Sequence, residues 1–448
     1  MNPLYILITV VPGSEAFVPM CIKGLRLFGK SENIHIVLVD NGAGLQPEAY
    51  VCPDVPLSYI DMEGAYPFGE MLRQIIPLLE TDHDLLLLSP YMVCVPGSLT
   101  AFQNALRHYP HAGVLGCTSN GIRVGRQHVS DYATYEDAVQ KRISAFSSGA
   151  VHRMIAPLDG GLYISRDLLQ TVDGFDLELG SESGVVEDLC IRAAEHGFDV
   201  YCVKDAFFWA LPGFRIHVGR GADWNYLEKK WGMHYFNTIP NLYLVNAITA
   251  PKDAPIHVLE IGCDCGATLL DIQDIYPNAT VCGAELNPSA AAIANRYVTA
   301  CEGNIEHYDL PYPEDSFDYI IFGDVLEHLR DPYETIRYCK KLLKHGGAII
   351  SSIPNLMHVS VMKELLNGTF TYQETGLLDR THIHFFTQKE ILRMFLICGY
   401  QTESLSSIQH PLSADEEDLI DWLLQRSGSD VTREMYQTFQ YLCIARNP

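Results

Sequence analysis

The sequence has few basic residues for its length. Its 448 residues include 31 Lys and Arg against 55 Asp and Glu, which gives a formal net charge of −24 at pH 7. A chain this acidic repels the phosphates of nucleic acids and of anionic lipids, so we expect neither among its partners. A local pocket for a nucleotide is compatible with that average charge.

Long apolar runs are also missing. A membrane-spanning helix needs about 20 consecutive apolar residues, and no stretch of this sequence reaches that length. The apolar run at 4–11 is short and has no basic residue before it, which is not typical of a secretion signal. The sequence therefore predicts a cytoplasmic protein with no transmembrane segment.

The 13 cysteines form no C-x-x-C pair. Cys263 and Cys265 are separated by one residue, a spacing that does not match zinc sites. No metal site is predicted from this pattern, and cysteines scattered through apolar runs are typical of a reducing compartment.

A strand-then-helix alternation begins twice along the chain. The first begins with strands at 5–11 and 34–40 around a helical stretch near 15–29, and the second with strands at 256–261 and 280–285 around a helix near 268–274. Such alternation indicates α/β folds with mostly parallel sheets. We expect two α/β domains, 1–240 and 256–448, joined by a linker at 241–255 that contains two prolines.

The segment V-L-E-I-G-C-D-C-G-A-T (258–268) is typical of a strand that enters a glycine turn and then a helix. Gly262 and Gly266 permit a tight turn and the close approach of a ligand. Glu285 follows at the end of the next strand, where one carboxylate can accept both hydroxyls of a ribose. Glu260, two residues before the first glycine, suits a ligand with a positive centre.

Here the sequence resembles the class I S-adenosylmethionine-dependent methyltransferases, and nearly all of 256–448 is covered. The matching segments follow the order of the family: V-L-E-I-G-C-D-C-G (258–266), A-E-L-N-P (284–288), G-N-I-E (303–306), L-P-Y-P-E-D-S-F-D-Y-I-I-F-G-D-V-L-E-H-L-R-D-P (310–332), L-L-K-H-G-G-A-I-I-S-S-I-P-N (342–355), L-D-R-T-H-I-H-F-F-T (378–387), C-G-Y (398–400) and the closing strand 439–448. The resemblance implies a Rossmann-like fold and S-adenosylmethionine as cofactor.

The resemblance also assigns roles to residues. The cofactor-binding set that it implies is Glu260, Gly262 and Gly266 for the methionine part, Glu285 for the ribose, Asn304 for the adenine amine and Asp324 beside the methyl donor. The family usually has glycine where Asp264 stands, and Asp tolerates the left-handed backbone expected there.

If the methyl acceptor is a hydroxyl, a general base helps its deprotonation. His328, in the E-H after the fourth strand, and His382, in D-R-T-H, are the candidate bases. We expect the acceptor to be a sugar or glycan, since the 378–400 segment resembles a subgroup found in cell-surface polysaccharide clusters.

The first half resembles the GT-A glycosyltransferases that use nucleotide sugars, over about residues 3–235. The segments that carry this resemblance are I-H-I-V-L-V-D-N-G-A-G (34–44), D-L-L-L-L-S-P-Y-M-V-C-V-P-G-S-L (84–99), D-G-G-L-Y-I-S-R-D-L-L (159–169), V-V-E-D-L-C-I-R-A-A-E-H-G-F (185–198) and L-E-K-K-W-G (227–232). By that resemblance Asp40 accepts from the nucleobase, the pair Glu187 and Asp188 contains the general base, and 159–161 borders the donor sugar.

One feature departs from that family. Its members place an acidic pair after the strand that reads D-L-L-L-L here, to hold a divalent cation on the diphosphate, but this sequence has Ser89-Pro90-Tyr91. Neither Ser89 nor Tyr91 is a good ligand for a hard cation, and His217 is the possible substitute further on.

Three functions remain open on the sequence alone. The first is a methyltransferase acting on a sugar or glycan, fused to a glycosyltransferase-like domain that binds a nucleotide sugar. The second is a methyltransferase whose N-terminal domain is an inactive glycan- or partner-binding module. The third is an NAD-linked oxidoreductase, which the glycine spacing disfavours because Asp264 and Ala267 stand where a dinucleotide fingerprint has its second and third glycines.

Overall fold

The computed structural model describes residues 3–29, 33–50, 54–80, 82–122, 125–143, 149–158, 160–214, 223–233 and 237–448. The chain divides into two compact units, Met1–Ile239 and Pro240–Pro448. No helix among the described residues is both long enough and apolar enough to cross a bilayer.

The helices and strands of the first unit alternate along the chain. They are β1 Leu4–Val10, α1 Val18–Phe28, β2 Ile34–Asp40, β3 Leu57–Asp61, α2 Phe68–Ile75, β4 Asp84–Leu88, β5 Met92–Cys94, α3 Ser98–His108, β6 Ala112–Ser119, α4 Tyr135–Arg142, β7 Val151–Arg153, β8 Gly161–Ile164, α5 Arg166–Thr171, α6 Glu182–Glu195, β9 Asp199–Ala210 and α7 Trp224–Trp231.

The described strands of this unit form one nine-stranded sheet in the order β3-β2-β1-β4-β8-β6-β9-β5, with β7 paired to β9. Strands β3, β2, β1 and β4 are parallel, and β8 runs antiparallel to both β4 and β6. Side chains alternate across the sheet: Ile6 and Ile8 belong to one buried cluster and Tyr5 and Leu7 to another. The sheet is therefore covered on both faces.

The second unit is described throughout. Its elements are α8 Leu242–Asn246, β10 His257–Ile261, α9 Ala267–Ile275, β11 Thr280–Glu285, α10 Pro288–Tyr297, β12 Thr299–Glu302, β13 Phe317–Gly323, α11 Pro332–Leu342, β14 Leu343–Pro354, α12 Val359–Leu366, α13 Gln388–Ile397, β15 Gln401–Gln409, α14 Ala414–Leu424, α15 Arg433–Gln437 and β16 Thr438–Arg446. The strands at 256–261 and 280–285 and the helix near 268–274 were predicted within a residue or two.

Within 240–448 the seven strands form a second sheet in the order β12-β11-β10-β13-β14-β16-β15. The first five strands in this order are parallel, and β16, at the position of the closing strand named from the sequence, runs antiparallel to β14 and β15. This is a Rossmann-like α/β fold. Because parallel strands end at the same edge, the loops after β10, β11, β12 and β13 meet there.

The segment 241–255, expected as a linker, is part of the second unit. Asn241 caps α8 by accepting the N–H groups of Tyr243 and Leu244, and Leu244 and Val245 are fully buried. The prolines mark a tight turn before β10, in which the N–H of Ala254 donates to the carbonyl of Pro251. The expectation of a linker overlooked the short apolar run that this helix buries.

Candidate active site

Glu260 is a buried carboxylate near the carboxyl end of β10. It is 4% exposed, and its Oε2 has no hydrogen-bond partner among the described residues. Burial, together with the negative charges of Asp264 and Glu285, raises the pKa of Glu260 well above its usual range. An unused buried carboxylate oxygen beside two more acids is suited to a positively charged ligand group, since such a group would offset the cost of desolvation.

The turn between β10 and α9 has three residues with left-handed backbone. The φ angles are +70° at Gly262, +47° at Asp264 and +87° at Gly266, so Asp264 adopts the expected conformation. A Cβ on Gly262 would lie 2.7 Å from Val325 Cγ2, and one on Gly266 would lie 3.3 Å from Ala294 Cβ. The space at both glycines is thus used by neighbouring protein side chains, which differs from the expectation that a ligand occupies it.

Glu285 ends β11 and connects two loops. Its Oε2 accepts the N–H of Asp264 and its Oε1 accepts the N–H of Asn287, both at 2.9 Å. Since each carboxylate oxygen has two acceptor positions, these bonds leave one position on each oxygen. The carboxylate is fixed in place while it retains the capacity to bind two further donors.

Asn304 follows β12 at the same edge of the sheet. The N–H of Gly303 donates to the carbonyl of Glu285 at 2.9 Å, which ties the two strand ends together. The Oδ1 of Asn304 accepts the N–H of Glu306 at 2.9 Å. Asn304 therefore caps a short turn next to Glu285, and its contact with adenine stays a prediction.

Asp324 directly follows β13 and has a left-handed φ of +56°. Its N–H donates to Ser352 Oγ at 3.1 Å, and its carboxylate accepts from the side chain of Gln440. Solvent reaches this residue, yet the protein packed around the carboxylate removes enough water to raise its pKa to about 6. Asp324 thus combines contact with solvent and a raised pKa at the end of β13.

Three residues with metal-ligand or base chemistry lie close to Asp324. Glu327, His328 and His382 each present one ligand atom, and these three atoms lie within 4.8 Å of one another. The Nε2 of His382 is 3.9 Å from the Oε1 of Glu327. We call this group the Glu-His-His cluster.

Glu327 is the most unusual member of the cluster. It is 1% exposed, and neither of its carboxylate oxygens has a hydrogen-bond partner among the described residues. Burial and the nearby charges of Asp324 and Asp379 raise its pKa well above the usual range. Sequence reasoning named His328 but missed Glu327, although its position next to His328, in the E-H after β13, was an available signal.

The two imidazoles are held by main-chain carbonyls. The Nδ1 of His328 lies 3.2 Å from the carbonyl of Thr381, and the Nδ1 of His382 lies 3.3 Å from the carbonyl of Leu377. Because a carbonyl only accepts, Nδ1 carries the proton in each ring and Nε2 is left with its lone pair. Burial is the main cause that lowers the pKa of both histidines, which favours the neutral form.

The loop that carries His382 is bonded to the turn that carries Glu327. The N–H groups of Ile383 and His384 both donate to the carbonyl of Glu327 at 3.0 Å. Two predicted residues from distant parts of the sequence, His328 and His382, are thereby brought together, with ring centroids 4.7 Å apart.

Residues 233–405 match a family model described as a methyltransferase domain. The second unit is a class I S-adenosylmethionine-dependent methyltransferase domain. The chain is therefore a methyltransferase enzyme, and its cofactor is S-adenosylmethionine.

The methyltransferase domain is similar to curated proteins of known name. A ubiquinone biosynthesis O-methyltransferase of Coxiella burnetii is 25% identical over 202 residues, which cover 44% of this chain and 84% of that protein. The protein of the same name from Thiobacillus denitrificans is 24% identical over 160 residues, which cover 34% and 68%.

Solved structures give a weaker comparison. A S-adenosylmethionine-dependent methyltransferase from Thermotoga maritima, described as a possible histamine N-methyltransferase, is 17% identical with a TM-score of 0.33, over 46% of this chain and 87% of that chain. One from Archaeoglobus fulgidus is 16% identical with a TM-score of 0.34, over 50% and 98%. At these scores the similarities add no argument to the assignment.

The residues at the edge of the sheet fit the cofactor. S-adenosylmethionine carries a sulfonium and an ammonium group, and the unpartnered oxygen of Glu260 provides a negative group for a cation. The two open acceptor positions of Glu285 match the two hydroxyls of a ribose. The methyltransferase domain thus has a group of acidic side chains at this edge of its sheet, and their contact with the cofactor stays a prediction.

The first unit has a cavity of about 450 Å³ at the carboxyl edge of β1 and β4. The lining includes Asn41, Ser89, Tyr91 and Glu182, so residues that follow β4 face this space. The ring of Tyr91 packs against Phe17, with centroids 4.2 Å apart. This cavity is the candidate ligand site of the first unit.

Asp40 does not have the open carboxylate that a role in nucleobase binding needs. Its Oδ1 accepts the N–H groups of Ala43 and Gly44, and its Oδ2 accepts the N–H of Leu45 and the hydroxyl of Tyr59. Burial opposes ionisation, but these hydrogen bonds outweigh it and lower the pKa of Asp40. All four acceptor positions are in use, so Asp40 shapes its own loop, contrary to the expectation.

Asp188 likewise differs from its expected role as an acceptor-side acid. It is fully buried and forms ion pairs with Arg192 at 2.8 Å and Lys230 at 2.5 Å. The indole N–H of Trp231 donates to the same carboxylate at 3.0 Å. Both Asp188 and Glu187 lie beyond the first turn of α6, and only Glu187 is partly exposed, so a base role stays a prediction for Glu187 alone.

Two further positions of the first unit were singled out from the sequence. Asp159, predicted to border a donor sugar, and His217, the possible cation ligand, both lie outside the described residues.

Proposed function

We propose that this protein methylates a hydroxyl group of a sugar or glycan, and that its N-terminal unit binds the same glycan or its nucleotide-activated precursor. The observation that carries the proposal is the Glu-His-His cluster beside Asp324, at the end of the parallel strand next to the cofactor loop. Bound S-adenosylmethionine would supply an electrophilic methyl group on its sulfonium.

The residues of this chain would bind the cofactor, orient the acceptor and deprotonate the acceptor hydroxyl. Glu260, Glu285 and Asn304 would hold the cofactor, together with the backbone at Gly262 and Gly266. Asp324 would line the acceptor side, where its raised pKa lets it take or return a proton near neutral pH. His382 and His328 are neutral there and have free Nε2 atoms, so either would accept the proton of an acceptor hydroxyl.

The printed names of the curated relatives support oxygen as the acceptor atom. Both relatives reported above are named O-methyltransferases. A hydroxyl needs help in losing its proton, whereas an amine does not to the same degree, so a cluster of neutral bases fits oxygen better than nitrogen.

A sugar acceptor is supported by the first unit. Its cavity of about 450 Å³ has the size of a small-ligand site and lies where the glycosyltransferase resemblance predicts a nucleotide sugar. Linking such a unit to a methyltransferase raises the effective concentration of a shared glycan. This would suit a role in cell-surface polysaccharide or glycan biosynthesis.

A second candidate function is that the N-terminal unit binds a glycan or a partner without catalysing sugar transfer. Two observations favour it: the carboxylate of Asp40 is saturated by its own loop, and Ser89 and Tyr91 offer no hard-cation ligand at the cavity.

The experiment is a transfer assay with the full-length chain. Production of S-adenosylhomocysteine is measured with oligosaccharides, with nucleotide sugars and with a catechol as a non-sugar hydroxyl acceptor. Turnover with a saccharide and none with catechol supports the proposal, whereas turnover with catechol alone overturns it. Release of nucleoside diphosphate from a nucleotide sugar would favour an active transferase over the binding module.

A further inference from the structure

We propose that the Glu-His-His cluster, Glu327, His328 and His382, is a binding site for a divalent first-row transition-metal ion. The cysteine spacing of the sequence could not predict this metal site, because its ligands are oxygen and nitrogen atoms from two separate segments.

The first argument is the state of Glu327. A carboxylate that is 1% exposed and has two oxygens without hydrogen-bond partners among the described residues carries a large desolvation cost. The nitrogen atoms that face it are those of His328 and His382, which lie within 4.8 Å of one of its oxygens. A bound divalent cation would compensate the charge and would coordinate the carboxylate.

The second argument is geometric. Two donors that each lie about 2.1 Å from a tetrahedral metal ion are about 3.4 Å apart. The Nε2 of His382 and the Oε1 of Glu327 are 3.9 Å apart, and all three ligand atoms fall within 4.8 Å. Small shifts of these side chains would bring the three ligand atoms to coordination distance.

The third argument is the set of contacts behind the ligands. Metal-binding histidines usually donate their other ring N–H to a carbonyl or carboxylate, which fixes the tautomer. Here the Nδ1 atoms of His328 and His382 face the carbonyls of Thr381 and Leu377. Asp379 accepts from the N–H and hydroxyl of Thr381 at 2.8 and 2.6 Å, which holds that loop in place.

The donor set selects the kind of ion. Two imidazole nitrogens and one carboxylate suit zinc, iron, cobalt or manganese, whereas magnesium and calcium prefer oxygen donors alone. Three protein ligands leave at least one coordination position open. The ion is therefore expected to bind an exogenous oxygen.

The role of the ion rests on the proposed function. An acceptor hydroxyl that coordinates the ion would have a lowered pKa, so its O–H bond would break and its proton would pass to water, leaving a metal-bound alkoxide. In this form His328 and His382 are ligands and not proton acceptors, which refines the role assigned to them above. The site itself does not depend on the identity of the acceptor.

The test uses the full-length chain, stripped with a chelator and then titrated with Co²⁺ or Zn²⁺ alone. We expect one ion per chain by elemental analysis, and visible absorption bands from Co²⁺ bound by nitrogen and oxygen. Glu327→Gln and His382→Asn should weaken metal binding by more than about tenfold, since changes even in the residues behind metal ligands cost that much.

The matched control is His384→Asn. His384 is two residues from His382, but its Nε2 bonds to the carbonyl of Arg330 at 3.2 Å, outside the cluster. Its substitution should leave metal binding unchanged. Binding of S-adenosylhomocysteine by every variant checks that the domain is folded.

Several results would overturn the proposal. They are the absence of stoichiometric metal and of Co²⁺ bands in the unsubstituted protein, and equal metal affinity in a folded Glu327→Gln variant. Methyl transfer that proceeds in the chelated, metal-free protein would remove the ion's role and leave the proposed function intact. Metal binding without methylation of any saccharide would support the metal site and overturn the proposed sugar acceptor.

Discussion

Buried carboxylates of the two units differ in whether hydrogen bonds or positive charges satisfy them. In the first unit, Asp40 uses every acceptor position on its own loop, and Asp188 is neutralised by two cations. In the second unit, Glu260 and Glu327 keep buried oxygens that have no hydrogen-bond partner in the part of the chain that the structure describes. A satisfied carboxylate stabilises the fold, whereas an unsatisfied one costs stability and is suited to a ligand.

The largest effect is expected at Asp188. Asp188→Asn removes the charge that pairs with Arg192 and Lys230, and breaking a buried pair costs about 3–5 kcal/mol. Urea denaturation should show this loss of stability. The control Asp167→Asn removes a mostly exposed acid on α5 and should change stability by less than about 0.5 kcal/mol. An equally small change in stability for Asp188→Asn would show that the ion pairs of Asp188 do not stabilise the fold.

At Asp40, the expected effect is smaller but has a defined pH dependence. Asp40→Asn weakens several charge-assisted hydrogen bonds and should cost about 2 kcal/mol at neutral pH. Because folding lowers the pKa of Asp40, its stabilisation is present above the pKa of the unfolded chain and is lost as pH falls through the folded pKa. The difference between the two proteins should therefore shrink in acid. A difference that is constant with pH would contradict this assignment.

For Glu285 the expected loss is in ligand binding. Glu285→Ala removes a pair of charge-assisted hydrogen bonds and should weaken S-adenosylhomocysteine binding by about tenfold or more, measured by calorimetry. The exposed acid Glu314, in the loop before β13, offers a control as Glu314→Ala. Unchanged affinity in Glu285→Ala would take this residue out of the site.

The sharpest contrast with the first unit is expected at Glu260, where loss of the charge should stabilise the fold. Glu260→Gln should raise the free energy of unfolding of the cofactor-free protein by about 1 kcal/mol and weaken S-adenosylmethionine binding. Since folding raises the pKa of Glu260, the wild type loses stability as pH rises from the unfolded pKa toward the folded one. The advantage of the variant should therefore grow with pH. A variant that is less stable than the wild type at every pH would show that the carboxylate of Glu260 has stabilising partners in the folded protein.

Sequence reasoning was most successful where the information is local. Sequence reasoning could predict the strand at 258–261, the turn at Asp264 and the acid at Glu285. Strand patterns and glycine turns depend on residues that are adjacent in the sequence. The order of the family motifs matched the strands β10 to β14 and the closing strand β16, whereas several helices of the second half were not predicted.

What sequence reasoning missed depends on contacts between distant segments. Asp40 has the expected position, but its pattern could not reveal that Tyr59 and its own loop saturate it. The unpartnered state of Glu327 likewise depends on the loop of His382, some fifty residues away in the chain. Hydrogen-bond satisfaction is set by tertiary structure, so the distinction between a structural and a ligand-binding acid cannot be made from a motif alone.

The position of β16 in the second sheet has a consequence for synthesis on the ribosome. This strand pairs with both β14 and β15, and β15 has no other partner strand in the sheet. During synthesis, β15 therefore cannot join the sheet until residues 438–446 have been made. Until then, both β14 and β15 have unpaired edges. Chaperone demand should be highest in the interval between the synthesis of β15 and the synthesis of β16.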